Sequence, residues 1–172
     1  MHLNLTANKK FWKMKYKYIF LGQWCLKNLN DRKNYENYIT PYHWSENEQI
    51  KKDSIEIHKI YEEIIPKLSK YLNKIHNLDL DQNYWEKLVG PWLIKFIDFI
   101  FDKYKSLELA FLNNNITEVT IEKKYFPLET FDDFYQFSSR DDYNFSIFSE
   151  IIKILNYKVK KNKKDNNFIF KN

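Results

Sequence analysis

The chain has 172 residues, enough for one domain with a proper core, and 19% of them are aromatic. Only two residues are glycine, so the motifs G-x-G-x-x-G and G-x-x-x-x-G-K-[ST] are both missing, which excludes glycine-built phosphate cradles. The formal charge of +5 lies in residues 157–172, which hold six of the 28 basic and one of the 23 acidic side chains. The rest of the chain is neutral, which favours a solvated lysine tail over a nucleic-acid-binding face.

Two short strands are predicted near the N-terminus. KYIFLG, residues 17–22, is apolar and ends at a glycine, and NYIT, residues 37–40, is stopped by Pro41, which has no backbone N–H to donate. If these strands pair in parallel, the residues that follow them lie together at one edge of a sheet. Ligands bind at that edge in open α/β folds.

A long amphipathic helix is predicted after these strands. Ser45 and Glu48 match the S-x-x-E pattern of a capping box. Apolar residues then recur at spacings of three and four from Ile50 to Ile75. The pattern keeps its phase across Pro66, so we expect the helix to bend there and not to end.

A second helical stretch begins near Asp81 and ends before Asn113. Gly90 and Pro91 are expected to interrupt it, because proline removes a hydrogen-bond donor and clashes with the preceding turn. Beyond this helix the pattern predicts one strand and two shorter helices, at residues 116–121, 131–137 and 144–155.

The predicted fold class is therefore α/β. A small parallel, Rossmann-like sheet is expected to carry a large helical insertion from Ser45 to Leu112. Residues 1–156 are expected to form a single α/β domain, and residues 157–172 a disordered, lysine-rich tail.

The string PYHW, residues 41–44, contains the first candidate site residues. It follows a predicted strand and precedes a helix N-terminus, where unpaired N–H groups attract anions. Histidine titrates near neutral pH, so His43 is a candidate general base. Tyr42 and Trp44 are candidate substrate contacts beside it. Alternatively, the two aromatic side chains pack the turn and His43 merely bonds to a carbonyl.

The string GQWC, residues 22–25, follows the other predicted strand, which places Gly22 and Trp24 beside PYHW. Cys25 is interpreted as a buried structural cysteine, because no positive neighbour is evident that would lower its pKa. The lone cysteine and the four scattered histidines lack zinc spacing, and neither a metal nor a cofactor is expected. The lone cysteine and the lack of a signal-peptide core or membrane-spanning run favour a cytoplasmic protein.

Two further strings contain candidate residues. YWEKLVGPWL, residues 84–93, contributes Trp85 and Trp92, which either fill the core of a kinked helix or line a site. SRDDYN, residues 139–144, contributes Arg140, whose guanidinium suits a phosphate or a substrate carboxylate. Alternatively, one of the aspartates caps the last helix and Arg140 pairs locally.

Six strings in a fixed order carry a family resemblance: KFW, KYIFLGQWC, PYHW, YEEIIPKLSKYLNKIHNL, YWEKLVGPWL and DDYN. Together they resemble the N-terminal part of a transferase family of bacterial surface-carbohydrate (O-antigen, lipopolysaccharide) loci, first defined from a spirochaete. The resemblance extends from Leu3 to Leu155. It implies a two-lobed glycosyltransferase-like enzyme that acts on a nucleotide-sugar or glycan substrate.

The resemblance also implies substrate-binding positions and includes His43 among its motif positions, and the need for a base near an acceptor hydroxyl makes His43 the expected catalytic residue. Together with Arg140, which its own chemistry suggests, these positions are Gly22, Trp24, Tyr42, Trp44, Trp85, Trp92, Asp142 and Asn144. The chain departs from the family pattern at Asn83, where an arginine is expected. It also stops where the family continues, so we expect an acceptor-side lobe that works with a separately encoded C-terminal half. The other interpretation is a non-catalytic binding or scaffold fragment without a donor-nucleotide site.

Overall fold

A computed structural model describes residues 1–15, 17–122 and 124–163. In it the chain forms two compact units. The sheet unit comprises Met1–Tyr42 and the described chain from Lys103 onward, and the helical unit comprises His43–Asp102. No helix among the described residues combines the length and the apolar character needed to cross a bilayer.

The described part of the sheet unit contains a four-stranded, fully parallel sheet. Its strands are β1 (His2–Asn4), β2 (Tyr18–Phe20), β3 (Glu118–Ile121) and β4 (Lys160–Lys163), in the spatial order β2-β1-β3-β4. The α/β class and the small parallel sheet predicted from the sequence are thus confirmed.

Two predicted strands lie beside each other as expected. Ile39 forms a parallel bridge with Phe20, and the backbone N–H of Thr40 donates to the carbonyl of Phe20 at 2.9 Å. Of the second predicted strand, residues 37–40, only this single bridge is formed, because Arg32–Tyr38 is a 3₁₀ helix. The residues that follow both segments therefore leave from the same edge of the sheet.

The core of the sheet unit combines strand residues with the last helix. The helices α3 (Phe131–Ser138) and α4 (Asp141–Ile154) follow β3. Six of the fully buried side chains are Leu3, Phe20, Val119, Phe145, Phe148 and Ile152. Burial of each large apolar side chain contributes about 1.5–3 kcal/mol, which stabilises the packing of the short strands against α4.

The helical unit contains α1 (Asn47–His76) and the first part of α2 (Gln82–Asn113). Its core consists of Ile57, Ile65, Leu93, Ile97 and Phe101. Pro66 lies inside α1, as predicted.

The predicted interruption of the second helix is wrong, because α2 continues through Gly90 and Pro91. Proline removes only one backbone hydrogen bond, and the buried residues Leu93 and Ile97 anchor the helix beyond it. A Cβ atom at Gly90 would lie 2.6 Å from the Tyr61 hydroxyl, so the glycine permits a close approach of α1.

The predicted capping box at Ser45 and Glu48 is also wrong. The N-cap of α1 is Glu46, without a side-chain cap hydrogen bond. Three residues after this cap stands Gln49, whose amide donates to Asp53 at 2.7 Å instead of reaching back to the cap. The pattern is therefore displaced by one residue from the register that a capping box requires.

Two strands lie where none was predicted. β1 is the central strand between β2 and β3, and β4 pairs with β3 inside the segment interpreted as a tail. The rest of that predicted tail, residues 164–172, lies outside the described residues.

Candidate functional site

The carboxyl ends of β1 and β3 mark the point where the strand order reverses. The chain pairs β2 on one side of β1 and later adds β3 on the other side. In open α/β sheets, ligands bind in the crevice outside the strands at such a topological switch point. A ligand is therefore expected between the loop after β1 and the loop after β3.

A cavity of about 320 Å³ lies at this position and is called the switch-point cavity here. Its walls come from the loop after β1, the residues after β3, and the start of α4. The lining residues are Thr6, Asn8, Lys10, Phe11, Glu122, Lys124, Asp141, Asp142 and Phe145. Hydroxyl, amide, carboxylate and ammonium groups thus converge on one cavity, and the buried rings of Phe11 and Phe145 pack behind its walls.

Asp141 fixes the loop after β1 against the start of α4. Its carboxylate accepts hydrogen bonds from the Thr6 hydroxyl and from the backbone N–H of Ala7, the latter at 2.9 Å. Thr6 in turn accepts from the N–H of Asn8 at 3.1 Å, and its carbonyl accepts from the indole of Trp12. These hydrogen bonds therefore fix the loop after β1, which forms this wall of the cavity.

Asp142 is the centre of an ion-pair cluster on the same wall. Arg140 donates to it from Nε at 3.1 Å and from Nη2 at 2.8 Å, and Lys124 Nζ lies 2.6 Å from Oδ2. Burial by itself would raise the pKa of Asp142, but the hydrogen bonds from the two cations outweigh it and lower the pKa to about 2. Asp142 is therefore ionised throughout the physiological pH range. Arg140 pairs locally with it, in agreement with one of the two interpretations of the sequence.

A second, more open cavity of about 670 Å³ adjoins the first and is called the lysine cavity here. The two cavities share Asn8, Asp141 and Asp142 as lining residues. The lysine cavity is lined in addition by Ala7, Lys9, Lys27, Asn28, Ser139 and Arg140.

Sequence reasoning missed Glu122 and the structural role of Asp141. Glu122 follows a strand that was predicted, so the rule that ligands bind beyond strand ends would have identified it. Only 5% of Glu122 is exposed, and its backbone N–H donates to the Ser149 hydroxyl at 3.1 Å. Asp141 has no comparable signal, because its partners Thr6 and Ala7 lie more than 130 residues away in the chain.

His43 lies within the helical unit, between two carboxylates. Its Nε2 is 3.0 Å from Asp102 Oδ1, its Nδ1 is 3.5 Å from Asp53 Oδ2, and its side chain is 7% exposed. Asp53 is buried and also accepts from the Trp44 indole at 2.8 Å and from Gln49. A general base needs one unprotonated nitrogen that faces its substrate. His43 can serve as a base only after one of these carboxylate contacts opens, and its catalytic role stays a prediction.

The other candidate residues of the helical unit are largely packing residues. Trp85 is 4% exposed, donates to Asn73 Oδ1 at 2.8 Å and stacks on His76. Trp92 is half-buried and stacks on Phe96 with ring centroids 5.1 Å apart. Burial limits what Trp85 can contact, whereas Trp44 retains access to a cavity.

That cavity has a volume of about 450 Å³ and lies between α1 and α2. Trp44, Ile57 and Ile94 give it apolar walls, with Asp98 among the polar groups. Burial raises the pKa of Asp98, with Lys95 acting in the opposite direction. The mixture of apolar walls and one partly buried carboxyl does not by itself specify a ligand.

Within the sheet unit, Gly22 and Trp24 follow β2 at the same sheet edge as the switch-point cavity. The Trp24 ring covers Gly22 so closely that a Cβ atom there would lie 2.0 Å from the ring, and the ring also stacks on Phe148. Tyr42 is 45% exposed. Asn144 donates to the carbonyls of Ser138 and Arg140, which fixes the turn before α4.

Cys25 is fully buried and free, in agreement with its interpretation as a structural residue. Burial raises the pKa of its thiol to about 12, so the nucleophilic thiolate is not formed near neutral pH. Among the described residues, the His, Cys, Asp and Glu side chains form no group with a metal-binding arrangement.

Comparison with known proteins gives one match. Residues 1–171 match the sequence model of a family described as the LIC12162 family transferase. No curated protein and no solved structure matches the chain. The transferase part of the resemblance inferred from the six sequence strings is thereby confirmed.

Proposed function

The chain belongs to the LIC12162 transferase family, and we propose that it is a glycosyltransferase-type unit of surface-polysaccharide (O-antigen) assembly that binds the acceptor sugar. The observation that carries this proposal is the position of the switch-point cavity, beyond the carboxyl ends of β1 and β3. Its mixture of carboxylate, amide and hydroxyl groups suits a polyhydroxylated ring. Carboxylates accept hydrogen bonds from sugar hydroxyls, and the amide and hydroxyl groups can both donate and accept them.

The acceptor side is favoured over the donor side by the backbone chemistry available. A nucleotide diphosphate is held mainly by main-chain amides at glycine-rich turns and helix N-termini. Two glycines provide little of this, and one of them, Gly22, is covered by Trp24. We therefore propose that a C-terminal half, encoded with or apart from this chain, supplies the donor nucleotide sugar.

Glu122 is the proposed proton acceptor. The acceptor hydroxyl oxygen attacks the anomeric carbon of the donor, the bond from that carbon to the leaving phosphate oxygen breaks, and the phosphate departs with the electron pair. The hydroxyl proton passes to the Glu122 carboxylate. Glu122 is buried at the end of a strand, a position from which a carboxylate can reach a ligand while most water is excluded. His43 is the second candidate for this role, and only the sequence supports it.

A transfer assay tests the proposal. The purified chain, alone and mixed with a separately expressed C-terminal half from the same locus, is incubated with labelled nucleotide sugars and surface-polysaccharide oligosaccharides. We expect label to reach the oligosaccharide in the mixture. Glu122→Gln should lower the rate by about 10²-fold or more, as loss of general base catalysis does. The matched control is Glu129→Gln, which removes an exposed carboxylate seven residues along the chain.

The outcomes separate the interpretations. Oligosaccharide binding without transfer under any combination would favour a non-catalytic binding fragment. Full activity of Glu122→Gln would reject Glu122 as the base, and a large loss in His43→Ala with an intact fold would favour His43 in its place. If neither oligosaccharides nor nucleotide sugars bind in any combination, the proposed function is wrong.

A further inference from the structure

We propose that the lysine cavity binds the phosphate group of a sugar phosphate or sugar diphosphate. The identity of the ligand as a sugar phosphate rests on the proposed transferase function. The existence of an anion site rests only on the side chains that line the cavity.

Three cations converge on this cavity from separate parts of the chain. Lys9 lies in the 3₁₀ helix after β1, Lys27 directly follows the 3₁₀ helix Gln23–Leu26, and Arg140 precedes α4. All three side chains are exposed enough to meet a ligand at the open face of the cavity. Gathering like charges at one place is unfavourable unless an anion offsets the repulsion.

The two carboxylates of the cavity are hydrogen-bonded to other groups and form no ion pair with either lysine. Asp141 is engaged by Thr6 and Ala7, and Asp142 is engaged by Arg140 and Lys124. By contrast, Lys9 and Lys27 make no ion pair and no side-chain hydrogen bond to any residue in the described part of the chain. Among the described residues, two ammonium groups thus border the cavity without a carboxylate bonded to either.

The ligand class follows from the number of donors. A phosphate monoester carries a charge of about −1.5 to −2 at pH 7 and offers three acceptor oxygens. Two lysines, together with Nη1 of Arg140, which lies outside the two hydrogen bonds to Asp142, match this better than they match a carboxylate, which has two oxygens and one charge. The Asn28 amide is a further donor on the same wall.

The shared wall connects this site to the proposed sugar site. Asn8, Asp141 and Asp142 line both cavities, so a phosphate in the lysine cavity is adjacent to a ring in the switch-point cavity. One ligand with a sugar and an attached phosphate therefore fits both chemistries. A neutral sugar would use only one of the two cavities.

The test is a calorimetric titration of the full chain at fixed low ionic strength with three probes: a hexose 1-phosphate, the corresponding methyl hexoside and inorganic phosphate. The variant is Lys9→Gln with Lys27→Gln. Its matched control is Lys52→Gln with Lys59→Gln, which removes the same charge from exposed positions on α1. Circular dichroism establishes that both variants fold.

We expect hexose 1-phosphate to bind more tightly than either other probe. Its affinity should fall at least about tenfold in the Lys9/Lys27 variant and by less than about twofold in the control, since hydrogen bonds to charged groups are lost only in the former. The affinity of the unmodified chain should also fall as salt is added.

Three results would overturn the inference: no binding of either phosphate probe, equal weakening in both variants, or inorganic phosphate binding as tightly as hexose 1-phosphate. The last would indicate a site for free phosphate and not for a sugar phosphate. Failure of the proposed function is a separate result. Phosphate binding that depends on Lys9 and Lys27 without any sugar transfer would reject the transferase proposal and leave the anion site in place.

Discussion

His43 Nε2 lies 3.0 Å from Oδ1 of Asp102, a residue 59 positions further along the chain. These two residues are the first and last of the helical unit. Because Asp53 faces the other ring nitrogen, the contact connects the segment before α1, α1 itself and α2 through one imidazole. His43, which the sequence predicts as a general base, therefore also links three segments of the helical unit.

The first prediction concerns Asp53, the buried carboxylate of this cluster. Asp53→Ala should lower the free energy of unfolding by about 2 kcal/mol or more, because the Trp44 indole and the Gln49 amide both lose their acceptor. Urea denaturation followed by tryptophan fluorescence measures the change. Glu56→Ala, an exposed carboxylate on the same helix, should change it by less than about 0.5 kcal/mol. Equal effects of the two substitutions would contradict this account of the cluster.

The second prediction concerns the acid titration of Asp142. With its pKa held at about 2, its ion pairs are fully formed above pH 4, and their contribution to stability is lost as the pH falls from about 4 toward 2. Carboxyl carbon shifts in nuclear magnetic resonance should report a midpoint near the lower value. Lys124→Gln should raise that midpoint, whereas Lys52→Gln should leave it unchanged. A midpoint near 3.9 in the unmodified chain would show that the cluster does not form.

The third prediction concerns His2, which is 3% exposed on β1. Burial lowers its pKa, although Glu118 at 3.5 Å acts in the opposite direction. Below about pH 6.5 the unfolded chain therefore binds a proton that the folded chain does not, so this residue makes the protein less stable as the pH falls. Between pH 7 and 5, His2→Gln should show a smaller loss of stability than the unmodified chain. An equal loss of stability in the two proteins would contradict this account of His2.

The fourth prediction concerns Gly22, where a Cβ atom would lie 2.0 Å from the Trp24 ring. Gly22→Ala should therefore displace the indole from its stacked position on Phe148. We expect a red-shifted tryptophan emission and a lower midpoint of thermal unfolding. Trp24→Phe provides a second background for this substitution. There, Gly22→Ala should lower the midpoint of thermal unfolding by less than it does in the unmodified chain. An unchanged emission spectrum in Gly22→Ala would contradict the packing described.

Two strands are predicted to within two residues of their observed bounds. β2 lies in the mostly apolar run 17–22, and β3 lies in the run 116–121, which is rich in β-branched residues. β1 is as short as β2, but its only apolar residue is Leu3, between the polar residues His2 and Asn4, so no apolar run marks it as a strand. β4 is lysine-rich, and only its pairing with β3 identifies it as a strand.

The candidate site was predictable only in part, for a related reason. The rule about strand ends predicts a site at the sheet edge after β2. Because β1 is not predicted from the sequence, the switch point between β1 and β3 is not predicted either. Arg140 and Asp142 line the cavities, whereas Trp85 and Asn144 are committed to packing and to a turn. Contacts between residues more than 100 positions apart, such as Thr6 with Asp141, leave no trace in a single sequence.

The most direct test of the central claim, that the switch-point cavity holds the acceptor sugar, is chemical-shift mapping of the isotope-labelled chain during titration with surface-polysaccharide oligosaccharides. The backbone amides of Thr6, Asn8, Lys124 and Asp141 should shift most, in a saturable manner and with one common dissociation constant. Shifts confined to the helical unit around Trp44 and Asp98, or saturation that leaves the loops after β1 and β3 unchanged, would contradict the claim.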